Sequence, residues 1–254
     1  MAEQKTAATT KPDVVERAKG FWAKYSKRII IIGGVVIALG VGYLGYKYWY
    51  KIPKENEAND KFFASDRLFA KMSNAGAYNK DSINFVLNGG NLDGTEITGA
   101  LKIISKYSGT DAANRANYVA GACYLHLPEP NFDLAIKYLK AFDGNGAGQV
   151  ESKAYTMLGD AYAEKKNTEE ALKYYKKAVS ALSDKDAGQK VVALFNVAHF
   201  ADYLGKTQDA LDALHNIKEN YMDGMLKSDV TSQQQPAYNA DDLDKMLAKL
   251  GETK

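Results

Sequence analysis

The sequence predicts an all-α protein in which a single N-terminal transmembrane helix is followed by a helical solenoid. Residues 29–46 form a run of eighteen residues without a charge. After this run, small and aromatic residues recur at a period of roughly 34 to 39 residues, which is typical of stacked helical repeats. The chain has 254 residues, of which 46% are hydrophobic and one is a cysteine. This composition excludes collagen-like, disulfide-framed and largely disordered proteins.

The charges are distributed unevenly along the chain. Residues 1–28 contain seven Lys or Arg against three Asp or Glu, whereas residues 51–254 have a net charge of −3. A mildly acidic main domain argues against a nucleic-acid partner, because phosphate binding needs a concentrated basic face. We expect residues 1–28 to be a basic cytoplasmic tail, although the positive-inside rule favours this orientation only slightly.

Residues 29–50 are predicted to be the transmembrane helix. At 1.5 Å per residue the uncharged run is roughly 27 Å long, about the thickness of a bilayer's hydrocarbon core. Aromatic residues and lysines flank it on both sides, as expected in the two headgroup regions. A buried core helix would not need these flanks, and a signal peptide would have a shorter apolar run and a small-residue cleavage site.

A stripe of small residues lies on one face of this helix and is the predicted contact with another membrane helix. Its members are spaced four residues apart, so they lie one above the other: Gly34, Ala38 and Gly42. Because glycine is common in single membrane spans, the stripe is also compatible with a helix that has no partner.

The clearest repeat lies at residues 152–184. Gly159 and Ala171 stand where two antiparallel helices approach closely, and Tyr162 and Tyr175 fill the space around that contact. This order of small and aromatic residues resembles the tetratricopeptide repeat (TPR) pattern, which predicts a TPR solenoid over residues 51–254. Its other predicted parts are a divergent first repeat (57–110), two weaker repeats (115–145 and 190–222) and a capping helix (239–250). Within the first repeat, helix 60–72 is expected to be followed by a polar loop at 74–95.

The first helix of each TPR pair lines the concave side of the solenoid, so this alignment predicts a groove. Its side chains are mixed apolar and polar groups, which suit an extended or helical peptide. The alternative is that these residues only fill a narrow groove and bind nothing. The candidate groove residues are Lys153, Met157, Asp160, Phe195, Asn196, His199 and Asp202.

The sequence contains no pattern typical of catalysis, of a cofactor or of a metal site. The three histidines lack the spacing of metal ligands, and no nucleophile elbow or phosphate-binding loop is present. We therefore predict a protein that is not an enzyme, with no cofactor and no metal. Five lysines surround one helix of the best repeat and are interpreted as a solvated outer face: Lys165, Lys166, Lys173, Lys176 and Lys177.

The order of these segments resembles the YfgM-type bacterial inner-membrane TPR proteins, in the version found in Bacteroidetes. A basic N-terminus precedes a membrane segment that opens with Phe21-Trp22 and closes with Tyr48-Trp49, and a TPR domain follows. The resemblance implies an inner-membrane anchor, a periplasmic C-terminal domain and an ancillary role beside the SecYEG translocon. The partners would be translocon subunits, nascent chains and periplasmic chaperones. The alternative is a scaffold that coordinates envelope assembly or cell division.

Overall fold

The computed structural model describes residues 14–92, 94–222 and 238–252, and nearly all of them are helical. The predicted all-α class is therefore confirmed. The chain divides into two compact units, one ending at Lys54 and the other beginning at Glu55. Residues 1–13 of the predicted basic tail lie outside the described residues.

The first unit is built on helix α1 (Val14–Tyr46), which is followed by a π-helical segment at Lys47–Lys51. Its apolar stretch is long enough and apolar enough to cross a membrane, and none of that stretch is buried. Aromatic rings pack against each other on both sides of the stretch, at 4.9 Å between Phe21 and Tyr25 and 5.4 Å between Tyr46 and Tyr50. These properties fit a membrane anchor, and a signal sequence near the N-terminus would share them.

The second unit starts with more structure than the sequence predicts. Helix α2 begins before residue 60, and the expected polar loop contains a helix and a strand. Asn79 explains the additional helix, because its side chain accepts hydrogen bonds from the backbone N–H groups of Asp81 (2.8 Å) and Ser82 (3.3 Å). The elements are α2 (Ile52–Ala75), α3 (Lys80–Asn88), β1 (Gly89–Leu92), β2 (Thr95–Thr98) and α4 (Ala100–Lys106).

Strands β1 and β2 form an antiparallel hairpin in which Gly89 pairs with Thr98. The Asn91 side chain accepts a hydrogen bond from the Gly94 N–H at 2.9 Å and so closes the turn. Gly94 has a φ of 81°, which side chains other than glycine rarely adopt. The turn at Gly94 therefore connects two paired strands inside the segment expected to be a polar loop.

Helix α2 is held against α5 (Asp111–Leu125) by polar contacts. The Glu55 carboxylate accepts hydrogen bonds from the N–H groups of Asp111 (2.9 Å) and Ala112 (3.2 Å), which have no partner within their own helix. Further along α2, the Asp66 carboxylate pairs with Arg115 at 3.0 Å. These contacts connect residues about fifty positions apart in the chain.

The remaining helices pack as consecutive pairs joined by short turns. In two of the pairs a glycine allows the helices to approach closely. A Cβ atom added at Gly121 would lie 2.5 Å from Leu139 Cγ, and one added at Gly159 would lie 2.6 Å from Tyr175 Cε1. The bounds are α6 (Phe132–Ala141), α7 (Gly148–Glu164), α8 (Thr168–Ala181), α9 (Ala187–Tyr203), α10 (Thr207–Asn220) and α11 (Ala240–Lys249).

Candidate functional site

A groove of about 440 Å³ lies between α7 and α9, the first helices of two successive pairs. The side chains that line it from α7 are spaced three or four residues apart and so project from one helix face. The same spacing holds along α9. The lining residues are Ser73, Tyr118, Gln149, Ser152, Lys153, Thr156, Met157, Gly188, Gln189, Val192, Ala193 and Asn196.

The groove combines an apolar surface with hydrogen-bonding groups. Met157 and Val192 contribute apolar side chains from the two facing helices. The amides of Gln189 and Asn196 can donate and accept hydrogen bonds, and Lys153 contributes a cation. Such a surface can bind the backbone and the apolar side chains of a polypeptide together.

A second compartment of about 390 Å³ lies between α9 and α11. The ring of Tyr238 stacks on Phe195 with 4.1 Å between the ring centres, and it lies 5.9 Å from the ring of His199. Phe195 is only 1% exposed. Helix α11 therefore covers part of α9, and it contributes Asp242, Lys245, Met246 and Lys249 to the walls of this compartment.

The predicted groove residues lie in three different environments: the groove, the second compartment, and contacts with neighbouring helices. Lys153, Met157 and Asn196 line the groove between α7 and α9, whereas Phe195 and His199 line the second compartment. The remaining two are bound to side chains of neighbouring helices. Asp202 accepts a hydrogen bond from Lys249 at 2.5 Å, and Asp160 accepts one from the Tyr175 hydroxyl at 2.7 Å.

The pair formed by Asp160 and Tyr175 belongs to the packing of α7 against α8. Desolvation by the surrounding protein raises the pKa of the Asp160 carboxyl above its ordinary value, and the hydrogen bond from Tyr175 opposes this effect. Desolvation also raises the pKa of the Tyr175 hydroxyl, and the adjacent Asp160 carboxylate adds to the increase. The hydroxyl therefore keeps its proton and acts as the donor.

Burial keeps two side chains uncharged, one within α5 and one at its C-terminal end. Cys123 is fully buried, and burial raises the pKa of its thiol to about 12. The His126 ring stacks on Tyr78 with 3.7 Å between the ring centres, and burial lowers the pKa of its imidazole. Both groups are uncharged near neutral pH, which fits a structural role.

Several lining residues were not predicted from the sequence. Gln149 and Gln189 share the helical spacing of Lys153 and Asn196, so this spacing could have indicated them. Ser73 belongs to α2 and Tyr118 to α5. No local pattern indicates these two, because they reach the groove only through the packing of their helices.

The small-residue stripe lies on the exposed surface of α1. Gly34, Ala38 and Gly42 are all exposed. A Cβ atom at Gly34 or Gly42 would have no other atom within 4 Å, apart from its own helix backbone. The stripe therefore has the space that a second helix would need.

Among residues 14–92, 94–222 and 238–252, no three His, Cys, Asp or Glu side chains are grouped closely enough to hold a metal ion. The tetratricopeptide repeat family matches residues 152–181, which comprise most of α7 and all of α8. No curated protein and no solved structure matches the chain. The chain is therefore an all-α protein that contains a tetratricopeptide repeat within a region of paired helices.

Proposed function

We propose that this protein is a membrane-anchored TPR scaffold that assists the SecYEG translocon of a bacterial inner membrane. In this proposal α1 is the anchor, residues 1–28 are cytoplasmic and the TPR domain is periplasmic. The domain binds nascent or periplasmic polypeptides and brings them to chaperones. The observation that supports a binding role best is the groove of about 440 Å³ between α7 and α9.

The chemistry of the groove favours a segment of polypeptide as its occupant. Facing apolar side chains from Met157 and Val192 can contact the side chains of such a segment, while Gln189 and Asn196 can bond to its backbone. These contacts depend little on the sequence of the segment, because every peptide bond offers a donor and an acceptor. Broad recognition of this kind suits a protein that meets many different translocated chains.

The exposed stripe on α1 supports a helix contact inside the membrane. Small residues allow two helix backbones to approach closely, so dispersion contacts increase along the interface. In our proposal the stripe of Gly34, Ala38 and Gly42 packs against a membrane helix of the translocon.

The test is a pull-down of the tagged full-length protein from native membranes in mild detergent, followed by mass spectrometry. Gly34→Leu/Ala38→Leu fills the stripe. The matched control, Val36→Leu/Gly40→Leu, adds side-chain bulk on the opposite face of α1. We expect SecY-type subunits to be recovered with the wild type and the control, and to be lost with the stripe variant.

The same experiment can contradict the proposal in two ways. Recovery of only cell-division or envelope-assembly proteins would refute the translocon role and favour a coordinating scaffold. Equal recovery of SecY-type subunits with the stripe variant would show that α1 does not make the contact. A separate experiment tests the anchor, because release of the protein from membranes by alkaline carbonate would refute it.

A further inference from the structure

Lysines of helices α6 and α8, together with tyrosines of α6, α7 and α8, form a face outside the groove. The Lys140 ammonium lies 5.2 Å from the ring centre of Tyr162 and 5.9 Å from that of Tyr174. The Lys177 ammonium lies on Tyr174 too, at 5.1 Å from its ring centre. Lys137 lies one turn before Lys140 on α6, and its ammonium is 5.0 Å from the ring centre of Tyr138. We call this surface the lysine–tyrosine face, and its members are Lys137, Lys140, Lys177, Tyr138, Tyr162 and Tyr174.

The rings hold the ammonium groups in defined positions. Tyr162 and Tyr174 are nearly parallel, with an interplanar angle of 6° and 5.4 Å between their centres. Tyr174 is only 7% exposed, so packing fixes its ring. Hydrogen bonding with the Tyr162 hydroxyl raises the pKa of Lys140, which keeps this side chain charged. The face therefore presents lysine cations within 6 Å of amphipathic rings.

The face carries positive charge on an acidic domain. Helices α6 and α8 contain five lysines against three carboxylates, while residues 51–254 have a net charge of −3. Ion pairs engage two of these carboxylates and two of these lysines, since Asp133 pairs with Lys165, Glu170 with Lys173 and Asp209 with Lys176. An ion pair requires a distance of at most 4.0 Å between an ammonium nitrogen and a carboxylate oxygen. Among the described residues, no carboxylate oxygen lies that close to the ammonium nitrogen of Lys137, Lys140 or Lys177.

We propose that the lysine–tyrosine face docks on an anionic phospholipid surface. The charges are complementary, and the half-buried rings of Tyr138 and Tyr162 are of a type enriched where a membrane meets water. Each lysine near an anionic membrane strengthens binding by roughly fivefold, so three lysines contribute about a hundredfold. This gain is too small to capture a free partner, but it is sufficient for a domain that is already tethered, because tethering raises the effective concentration. The inference thus rests on the membrane anchor of the proposed function.

The test compares the full chain in nanodiscs of phosphatidylcholine alone and of equimolar phosphatidylcholine and phosphatidylglycerol. A water-soluble acetylating reagent modifies exposed lysines, and mass spectrometry gives the rate at each position. We expect Lys137, Lys140 and Lys177 to react at least about fivefold more slowly in the anionic discs. Two exposed lysines, Lys206 directly before α10 and Lys218 on α10, serve as internal references and should change little.

Two further measurements test the electrostatic origin of this protection. Raising the ionic strength to about 1 M shortens the screening length to about 3 Å and should remove the protection. The variant Lys140→Gln/Lys177→Gln should abolish the protection of Lys137 in anionic discs. The matched control, Lys206→Gln/Lys218→Gln, should leave it unchanged.

Equal lysine reactivity in the two lipids would refute the proposal, as would equal slowing at the reference lysines. Binding of an acidic protein to the face, without lipid-dependent protection, would also refute it. Failure of the anchor would be recognised separately, because the chain would not then co-purify with discs of either composition. A docking surface can thus be wrong while the anchor is right.

Discussion

Replacing Gly159 by alanine should destabilise the repeat region by about 1–3 kcal/mol, the usual cost of overpacking a core. The added Cβ would lie 2.6 Å from Cε1 and 2.7 Å from Cδ1 of Tyr175. That ring cannot move away easily, because it is 8% exposed and its hydroxyl donates a 2.7 Å hydrogen bond to Asp160. Alanine's higher helix propensity offsets the cost by at most about 1 kcal/mol.

The assay is thermal unfolding of the full chain in detergent, followed by far-ultraviolet circular dichroism. For a domain of this size, a loss of 1–3 kcal/mol lowers Tm by roughly 2–12 °C. The matched control is Gly188→Ala, because a Cβ atom at this helical position would meet nothing within 4 Å. We expect the control to be neutral or stabilised by up to about 1 kcal/mol.

A double variant separates the clash from other effects of the substitution. Tyr175→Leu removes the ring, so Gly159→Ala should cost much less in the Tyr175→Leu background than in the wild type. If the Gly159→Ala and Gly188→Ala variants had the same Tm, the proposed clash between residue 159 and Tyr175 would be refuted.

Three other outcomes follow from the structure. Because burial raises the pKa of Cys123 to about 12 from 9.0, its thiolate is roughly a thousandfold scarcer near neutral pH. Ellman's reagent should therefore react with it only after unfolding, and fast labelling of the folded chain would contradict this. The Tyr107 hydroxyl donates a hydrogen bond to Glu57 and lowers the pKa of that carboxyl. The stabilisation from this hydrogen bond is present above pH 4.5, the pKa of the carboxyl in the unfolded chain, and is lost as the pH falls through its lower pKa in the folded chain. Tyr107→Phe should therefore lower the urea midpoint of unfolding more at about pH 7 than at about pH 3. Equal losses at both pH values would exclude this linkage. In the groove, Met157→Asp should weaken binding of a fluorescent unfolded polypeptide by about tenfold or more. The exposed-surface control Tyr203→Asp should bind normally, and equal binding by both variants would locate the binding site elsewhere.

The helical class could be predicted from the sequence because its determinants are local. Glycine and alanine at fixed offsets, with aromatic residues between them, encode both the helices and their close contact in a pair. Gly159 and Tyr175 are sixteen positions apart in the sequence and in direct contact in the structure. By contrast, α3 was missed because it has only nine residues and begins after an asparagine that reads as part of a loop.

The candidate site could be predicted only in part. The repeat alignment indicated Lys153, Met157 and Asn196, because equivalent positions of successive first helices lie side by side in a solenoid. The repeat alignment did not indicate that Phe195 and His199 line a different compartment from these three residues. Those two lie under Tyr238, whose position depends on where α11 packs.

The sequence by itself determined the helical class, the apolar run of α1 and the glycine-dependent contact within the best repeat. Each follows from the composition or spacing of residues that are close in the chain. Only the tertiary structure decided that α9 contributes to two separate compartments, and that lysines of α6 and α8 share the ring of Tyr174. These arrangements depend on contacts between helices far apart in the chain, which no local pattern specifies.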